Sequence, residues 1–322
     1  MPLTNVDLDR IDGNSGRLSN VVTSALNGGP LAGTRNRIIN GGHAIDQRNA
    51  GATQTFTAAA ALAYSVDRWY GYCTGANVTG ARVQGATAGQ FYYRFTGAAS
   101  VTAIGFGQRI EQLNSADLAG TTATLSVDLA NSLLTTVTWT AFYANTADTF
   151  GTLASPTRTQ IATGTFTVTS TVTRYNTNIS VPAAATTGIE IVFTVGAQTS
   201  GTWTIGNVQL EPGSTATPFE RRSYGQELAL CQRYYEKSQG SQGSGFFFSG
   251  RVVSGSSYYC VRPFAVAKRT TPTIGSSSVA FALFTSVNIG EIDTGGFRVD
   301  ATASSTGDGG FFLGQWNASI EL

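Results

Sequence analysis

From Arg37 to about Leu210 the apolar residues of this chain recur at every second position, and that period decides its fold class. Ala123, Leu125, Val127 and Leu129 alternate with Thr124, Ser126 and Asp128; Ile189, Ile191, Phe193 and Val195 repeat the pattern. Successive side chains of a strand point to opposite faces, so each run has one buried side. Similar runs fall near 67–72, 90–96, 101–111, 137–143, 163–169, 172–181 and 202–210. Eight or more short strands separated by Gly, Asn and Ser turns predict an antiparallel sandwich. Within Trp203 to Leu210 the apolar parity shifts after Ile205, and a bulge at Gly206-Asn207 would restore it.

The flanking segments read differently. Asn14 or Ser15 caps a stripe of Leu18, Val21, Val22, Ala25 and Leu26, which predicts a helix ended by Asn27-Gly28-Gly29-Pro30. A helix of about three turns is marginal alone, so it needs its own domain, another subunit or a larger particle to lie against. After Glu211-Pro212-Gly213, the capping-box spacing of Ser223 and Gln226 opens a second short helix with Leu228, Cys231 and Tyr235 on one face. Strand-like segments return at 246–254, 257–267, 279–289, 296–303 and 310–322. The organisation expected is an N-terminal attachment segment (1–36), a sandwich (37–222), a helical connector (223–238) and a smaller C-terminal β-rich domain (239–322).

Composition removes several function classes. With 20 Lys+Arg against 19 Asp+Glu the chain has no general field for nucleic acid or an anionic membrane, and no window is apolar enough for membrane insertion. Charged residues are only 12%, and Thr, Ser, Ala and 38 Gly replace them, a surface suited to a packed assembly. His43 is the one histidine, so chemistry needing a histidine base or several histidine ligands lacks material. Cys73, Cys231 and Cys260 show neither metal spacing nor an even count, which fits synthesis in a reducing cytoplasm without a signal peptide. No cofactor is implied.

Two stretches resemble a known family. Ile38 to Arg48 (Ile-Ile-Asn-Gly-Gly-His-Ala-Ile-Asp-Gln-Arg) with Asp67-Arg68-Trp69-Tyr70 resembles the opening of a β-sandwich domain of bacteriophage and prophage tail-fibre proteins. Its exit is matched by Val208 to Gly213, Ala216 to Leu228 and Cys231 to Lys237. The resemblance covers roughly residues 37 to 237. It implies an all-β, antiparallel jelly roll of the galactose-binding and carbohydrate-binding-module kind. It also implies a virion fibre that attaches a phage to bacterial surface polysaccharide or lipopolysaccharide. A homotrimer fits the low charge, with residues 1–36 docking to a tail or baseplate protein, or to each other, through Leu18, Val21, Val22 and Leu26. A purely structural tail, baseplate or capsid-decoration subunit is the alternative, and a binding module detached from a glycosidase is a third.

Some carbohydrate-binding relatives hold calcium where this chain has Ala44 and Asn207; one carboxylate is missing and the other is an amide, with Asp46 nearby. Trp69 and Trp203 are expected in the core, while Tyr70, Tyr72, Tyr92 and Tyr93 are left open. Adjacent rings, as in Tyr92-Tyr93, Tyr258-Tyr259 and Phe246-Phe247-Phe248, must face opposite sides of a strand, so one of each is expected outside. Arg221-Arg222 is either an anion site or paired with Glu220 or Glu227. Asp117, Asp128, Glu190 and Glu291 are scattered, and binding is expected rather than glycan hydrolysis. With the N-terminus as anchor, receptor contact is expected in the C-terminal domain, through Tyr258, Tyr259, Trp316, Arg251 and Arg262.

Overall fold

The computed structural model describes residues 35–238 and 245–322, preceded by the backbone of two short strands, β1 (Ala25–Leu26) and β2 (Gly29–Pro30). These two pair antiparallel, so Leu26 lies in a strand and not at the end of the expected helix. The sequence between them is Asn-Gly, the strongest short hairpin signal, which outweighs the apolar spacing at that point. Leu18, Val21 and Val22 lie outside the described residues.

The sandwich uses β3 (Gln54–Phe56), β4 (Ala63–Tyr64), β5 (Tyr70–Thr74), β6 (Val78–Gln84), β7 (Phe91–Thr96) and β8 (Ala103–Ile110). It continues with β9 (Thr122–Asn131), β10 (Thr136–Ala144), β11 (Arg158–Thr167), β12 (Thr173–Ser180), β13 (Ile189–Val195) and β14 (Thr202–Pro212). They form two six-stranded antiparallel sheets of a jelly roll, ordered β11-β10-β13-β8-β5-β4 and β12-β9-β14-β7-β6-β3. The alternating apolar residues meet between the sheets, as their period requires. Trp69 stacks on Phe106 at 5.0 Å, Tyr93 on Phe106 at 4.8 Å, and Phe95 on Trp203 at 5.3 Å. The parity break in β14 is a bulge, with the register shifting between Gly206 and Gln209 and Asn207 at φ 45°. His43 belongs to this core: it is fully buried, its ring meets Trp69 and Phe106 edge-on, and neither nitrogen has a hydrogen-bond partner. Burial, aided by the charge of Arg82, lowers its pKa to about 3, so it is a neutral packing residue.

Helix α1 (Tyr224–Gln232) begins where the capping box places it, with the Ser223 hydroxyl accepting from the Gln226 N–H. It ends at Gln232, and Tyr235 is not on its face. Residues Tyr235–Lys237 form β15, which pairs with a strand near the end of the chain, so the C-terminal sheet begins inside the expected helical connector.

That domain contains β16 (Phe246–Val252), β17 (Ser257–Pro263), β18 (Thr273–Ala282), β19 (Phe284–Gly290), β20 (Gly296–Ala303) and β21 (Gly307–Ser319). Long β21 pairs with β18 on one side and with β15 and β16 on the other; β17-β20-β19 form a second sheet. The single strand expected at 279–289 is two, broken at Leu283 with φ 63°. Phe246, Phe297, Phe312 and Trp316 fill the space between the sheets.

The two units are joined by buried ions. Glu321 is paired by both Arg48 and Arg68, whose guanidinium groups lie over Tyr235 at 3.7 Å and Tyr234 at 3.5 Å. Arg109 and the Tyr64 hydroxyl donate to the Leu322 carbonyl, both at 2.8 Å. Among the described residues no helix is long and apolar enough to cross a membrane.

Candidate functional site

The outer face of the β11-β10-β13-β8-β5-β4 sheet is built from the residues that alternate with the core set. On β5 these are Tyr70 and Tyr72; on β8, Gly105, Gly107 and Arg109; on β13, Glu190, Val192 and Thr194; on β10, Thr138, Thr140 and Phe142. Register sets Tyr72 opposite Gly105 and Tyr70 opposite Gly107. Both rings lie across their glycines: a Cβ on Gly105 would stand 2.1 Å from Tyr72 Cζ, and one on Gly107 2.6 Å from the Tyr70 hydroxyl. Two glycines therefore form a low floor on which the tyrosines lie flat, a packing seen where aromatics cover strand glycines.

The two rings differ in access. Tyr70 is buried, its hydroxyl donates to Glu190 Oε1 at 2.6 Å, and burial holds its phenol far above the ordinary range. Tyr72 is half-buried, and its hydroxyl has no partner among the described residues. Across the floor from Tyr72, Thr194 and Thr138 are paired in register, and Thr140 shares a hydroxyl hydrogen bond of 3.0 Å with Thr163. A shallow cavity of about 540 Å³ opens at that end, lined by Ala103, Thr136, Thr138, Thr194 and Gly196. At the other end Glu190 is fully buried between Arg109, at 2.8 Å, and Arg158, whose guanidinium lies 4.1 Å over Phe142. The face thus offers one flat ring, a row of hydroxyls and a fixed charged border. That is the equipment for holding a polyhydroxylated chain: apolar stacking beside hydrogen-bond donors and acceptors.

The C-terminal residues expected to bind are not brought together. Trp316 is 6% exposed and packs on Phe264 and Phe297, so it is a core residue and not a contact. Tyr258 faces inward between Phe248 and Phe284, with its hydroxyl accepting from the Val253 N–H. Tyr259 points outward from β17, 63% exposed, with Arg298 over its ring at 5.6 Å. Arg251 is exposed on β16 near Asp308, and Arg262 shares the inward parity of Tyr258. Of the five, Tyr259 and Arg251 remain on the surface. Of the pair Tyr92-Tyr93, one ring of which was expected outside, neither is exposed: Tyr93 lies in the core, and Tyr92, 7% exposed, covers Gly206 of the neighbouring strand β14.

At the position considered for calcium, Asp46 accepts the Asn49 and Gly51 N–H groups and faces Arg82, which also donates to the Ala44 carbonyl at 2.7 Å. A guanidinium supplies the positive charge there. Asn207 is the bulge residue and donates to Asp128 at 2.7 Å. Among the described residues no cluster of His, Cys, Asp and Glu is suited to a metal ion. Asp117, Asp128, Glu190 and Glu291 stand apart, each against its own arginine: Arg37, Arg174, the Arg109–Arg158 pair and Arg298.

The tyrosine floor was legible only in part. Tyr70-Gly71-Tyr72 and Gly105-Phe106-Gly107 are visible as i, i+2 pairs, but only the pairing of β5 with β8 puts them together.

No family model and no curated protein matches the chain. Solved structures similar to it include TmCBM61 in complex with β-1,4-galactotriose, at 13% identity, covering 56% of this chain and 99% of that one, with a TM-score of 0.35. A CBM4 structure is 18% identical over 54% of this chain and 98% of its own, TM-score 0.35. The enzymatically active domain of bacteriophage CBA120 tailspike protein 4 is 18% identical, TM-score 0.34; the match covers 56% of this chain and only 22% of that one.

Proposed function

We propose that this chain is a subunit of a phage tail fibre that attaches the virion to a bacterium by holding a surface glycan without cleaving it. The observation that carries glycan binding is the half-buried Tyr72 ring laid across Gly105, beside Thr138 and Thr140 of β10, Thr194 of β13 and the Arg158–Glu190–Arg109 border. A sugar's C–H face stacks on the ring, and its hydroxyls bond to the threonines. The fibre role is supported by the resemblance of residues 37 to 237 and by the low charge. In this reading the subunit is a homotrimer in the virion tail, attached through residues 1–36 to a tail or baseplate protein.

The test is competition for adsorption. Soluble wild-type protein is expected to block phage adsorption to bacteria with intact lipopolysaccharide, and Tyr72→Ala protein to block at least about tenfold less well, as for one lost aromatic anchor. Wild-type protein without effect would make the subunit structural. A second reading places receptor contact in residues 239 to 322, favoured by the exposed Tyr259; there Tyr259→Ala loses competition and Tyr72→Ala does not.

A further inference from the structure

On the other sheet's flank a second cavity, of about 470 Å³, lies between the β6–β7 turn, the Asn40–Ala44 loop and the segment leading into α1. Its size is that of a small-ligand site, about 300–1,000 Å³. Three rings line it: Phe91, Phe219 and Tyr224, the last 66% exposed. Phe91 is backed by the Arg82 guanidinium at 4.5 Å, and Phe219 packs beside Gly42, where a Cβ would come within 3.2 Å of its ring.

Three arginines reach the cavity, and their charges are not equally spent. Arg82 faces Asp46, and Arg222 is held by Glu227 at 3.3 Å, near Glu220 and the Ile38 carbonyl. Arg221 has no carboxylate partner among the described residues; its one hydrogen bond is a long 3.4 Å contact to the Gly89 carbonyl, on an exposed side chain. The Arg221-Arg222 pair therefore splits, with Arg222 structural and Arg221 available.

We infer that this cavity is a second binding site, for an anionic saccharide whose ring lies against Phe91, Phe219 and Tyr224 and whose carboxylate or phosphate is held by Arg221. Aromatic walls alone would suit any sugar. The unspent guanidinium selects the anion, by a charge-assisted fork that a neutral sugar cannot use. The inference draws on the glycan-binding reading only for ligand class, and it places the ligand on a different surface from Tyr72.

Calorimetry on the full chain with digalacturonate, its dimethyl ester and glucose 1-phosphate provides the test, using wild type, Arg221→Gln and Tyr72→Ala. Digalacturonate or glucose 1-phosphate is expected to bind wild type and Tyr72→Ala equally. Arg221→Gln should weaken that binding about tenfold or more, the loss of a charged hydrogen bond, with an unchanged melting temperature. The ester should bind wild type as weakly as the acid binds Arg221→Gln, and added salt should weaken the acid alone. Which of the two anions binds tells uronate from phosphate recognition. The site is refuted if neither anion binds, or if Arg221→Gln binds like wild type. It is also refuted if Tyr72→Ala abolishes binding, which would return the ligand to the sheet face and leave the proposed function standing.

Discussion

The sandwich and the C-terminal domain are both two-sheet β structures, yet they dispose of their apolar residues in opposite ways. The sandwich gathers Trp69, Tyr93, Phe95, Phe106 and Trp203 into one stacked interior. Among the described residues, six of the ten exposed large hydrophobic side chains (Phe247, Val253, Tyr259, Val261, Val279 and Phe281) belong to the C-terminal domain. Adjacent aromatics account for Phe247 and Tyr259, since Phe246-Phe247-Phe248 and Tyr258-Tyr259 cannot all face one side of a strand. The difference teaches that the sandwich encloses its apolar residues within itself, whereas the smaller domain leaves apolar surface of the kind a symmetric assembly would cover.

The largest effect tests the completeness of the sandwich. Trp203→Ala removes a ring stacked on Phe95 at 5.3 Å in a fully buried site, and should lower unfolding free energy by about 3–5 kcal/mol in chemical denaturation. A loss below about 1 kcal/mol would mean the stack is not where that stability resides.

Next in size is acid sensitivity. His43 has a folded pKa of about 3 against 6.5 in the unfolded chain, so as pH falls below 6.5 the unfolded state binds the proton first and stability drops. Asp67 works the other way: burial raises its pKa from 3.8 to about 6, so the folded state binds the proton first and stability grows as pH falls from 6 to 3.8. The two slopes, each about 1.4 kcal/mol per pH unit, oppose one another in that window. His43→Asn, which keeps a residue tolerant of φ 51°, removes one of them. Its unfolding free energy relative to wild type should therefore rise by about 1.4 kcal/mol per unit on acidification from pH 6.5. A difference independent of pH would show that His43 titrates normally.

Gly105→Ala probes the tyrosine floor with an expected cost of about 1–3 kcal/mol, since the new methyl must displace the Tyr72 ring. Glycan binding should fall with it, by calorimetry. An alanine accepted without loss of either would detach the ring from its glycine and remove the geometric basis of the site.

What the sequence conveyed follows from the range of the forces involved. Alternation is local, so β9, β12, β13 and β14 were legible within a residue or two, as was the bulge at Gly206-Asn207 that the broken parity demands. β6 carries a weak signal, because of its inward positions only Val78 is apolar: the next, Gly80, yields its space to the Tyr93 ring, and the one after is Arg82. Trp316 could not be placed in the core from its spacing, because its neighbours Phe264 and Phe297 arrive from distant segments. The same holds for the candidate site: Tyr72 acquires meaning only from Gly105, and Arg221 only from the carboxylates that Arg222 takes.

The smallest expected effect bears on the uncovered surface of the C-terminal domain. Phe247 is 47% exposed and pairs in register with Leu313, which in turn pairs with Ala280, so the three form an apolar row on the outer face of that sheet. In an isolated chain this ring contributes little, and Phe247→Ser should change the unfolding free energy by no more than about 0.5 kcal/mol. In a trimer that buries the row, the same substitution places a hydroxyl where a ring was covered and favours dissociation. Sedimentation at matched concentrations separates these outcomes: the wild type is expected to run as a trimer and Phe247→Ser to shift toward monomer with its unfolding midpoint nearly unchanged. If wild type and variant sediment alike as monomers, the exposed row is ordinary surface and the contrast between the two domains has no assembly behind it. If instead the variant unfolds much more easily as a monomer, Phe247 supports its own domain, and the apolar face is part of that domain's packing.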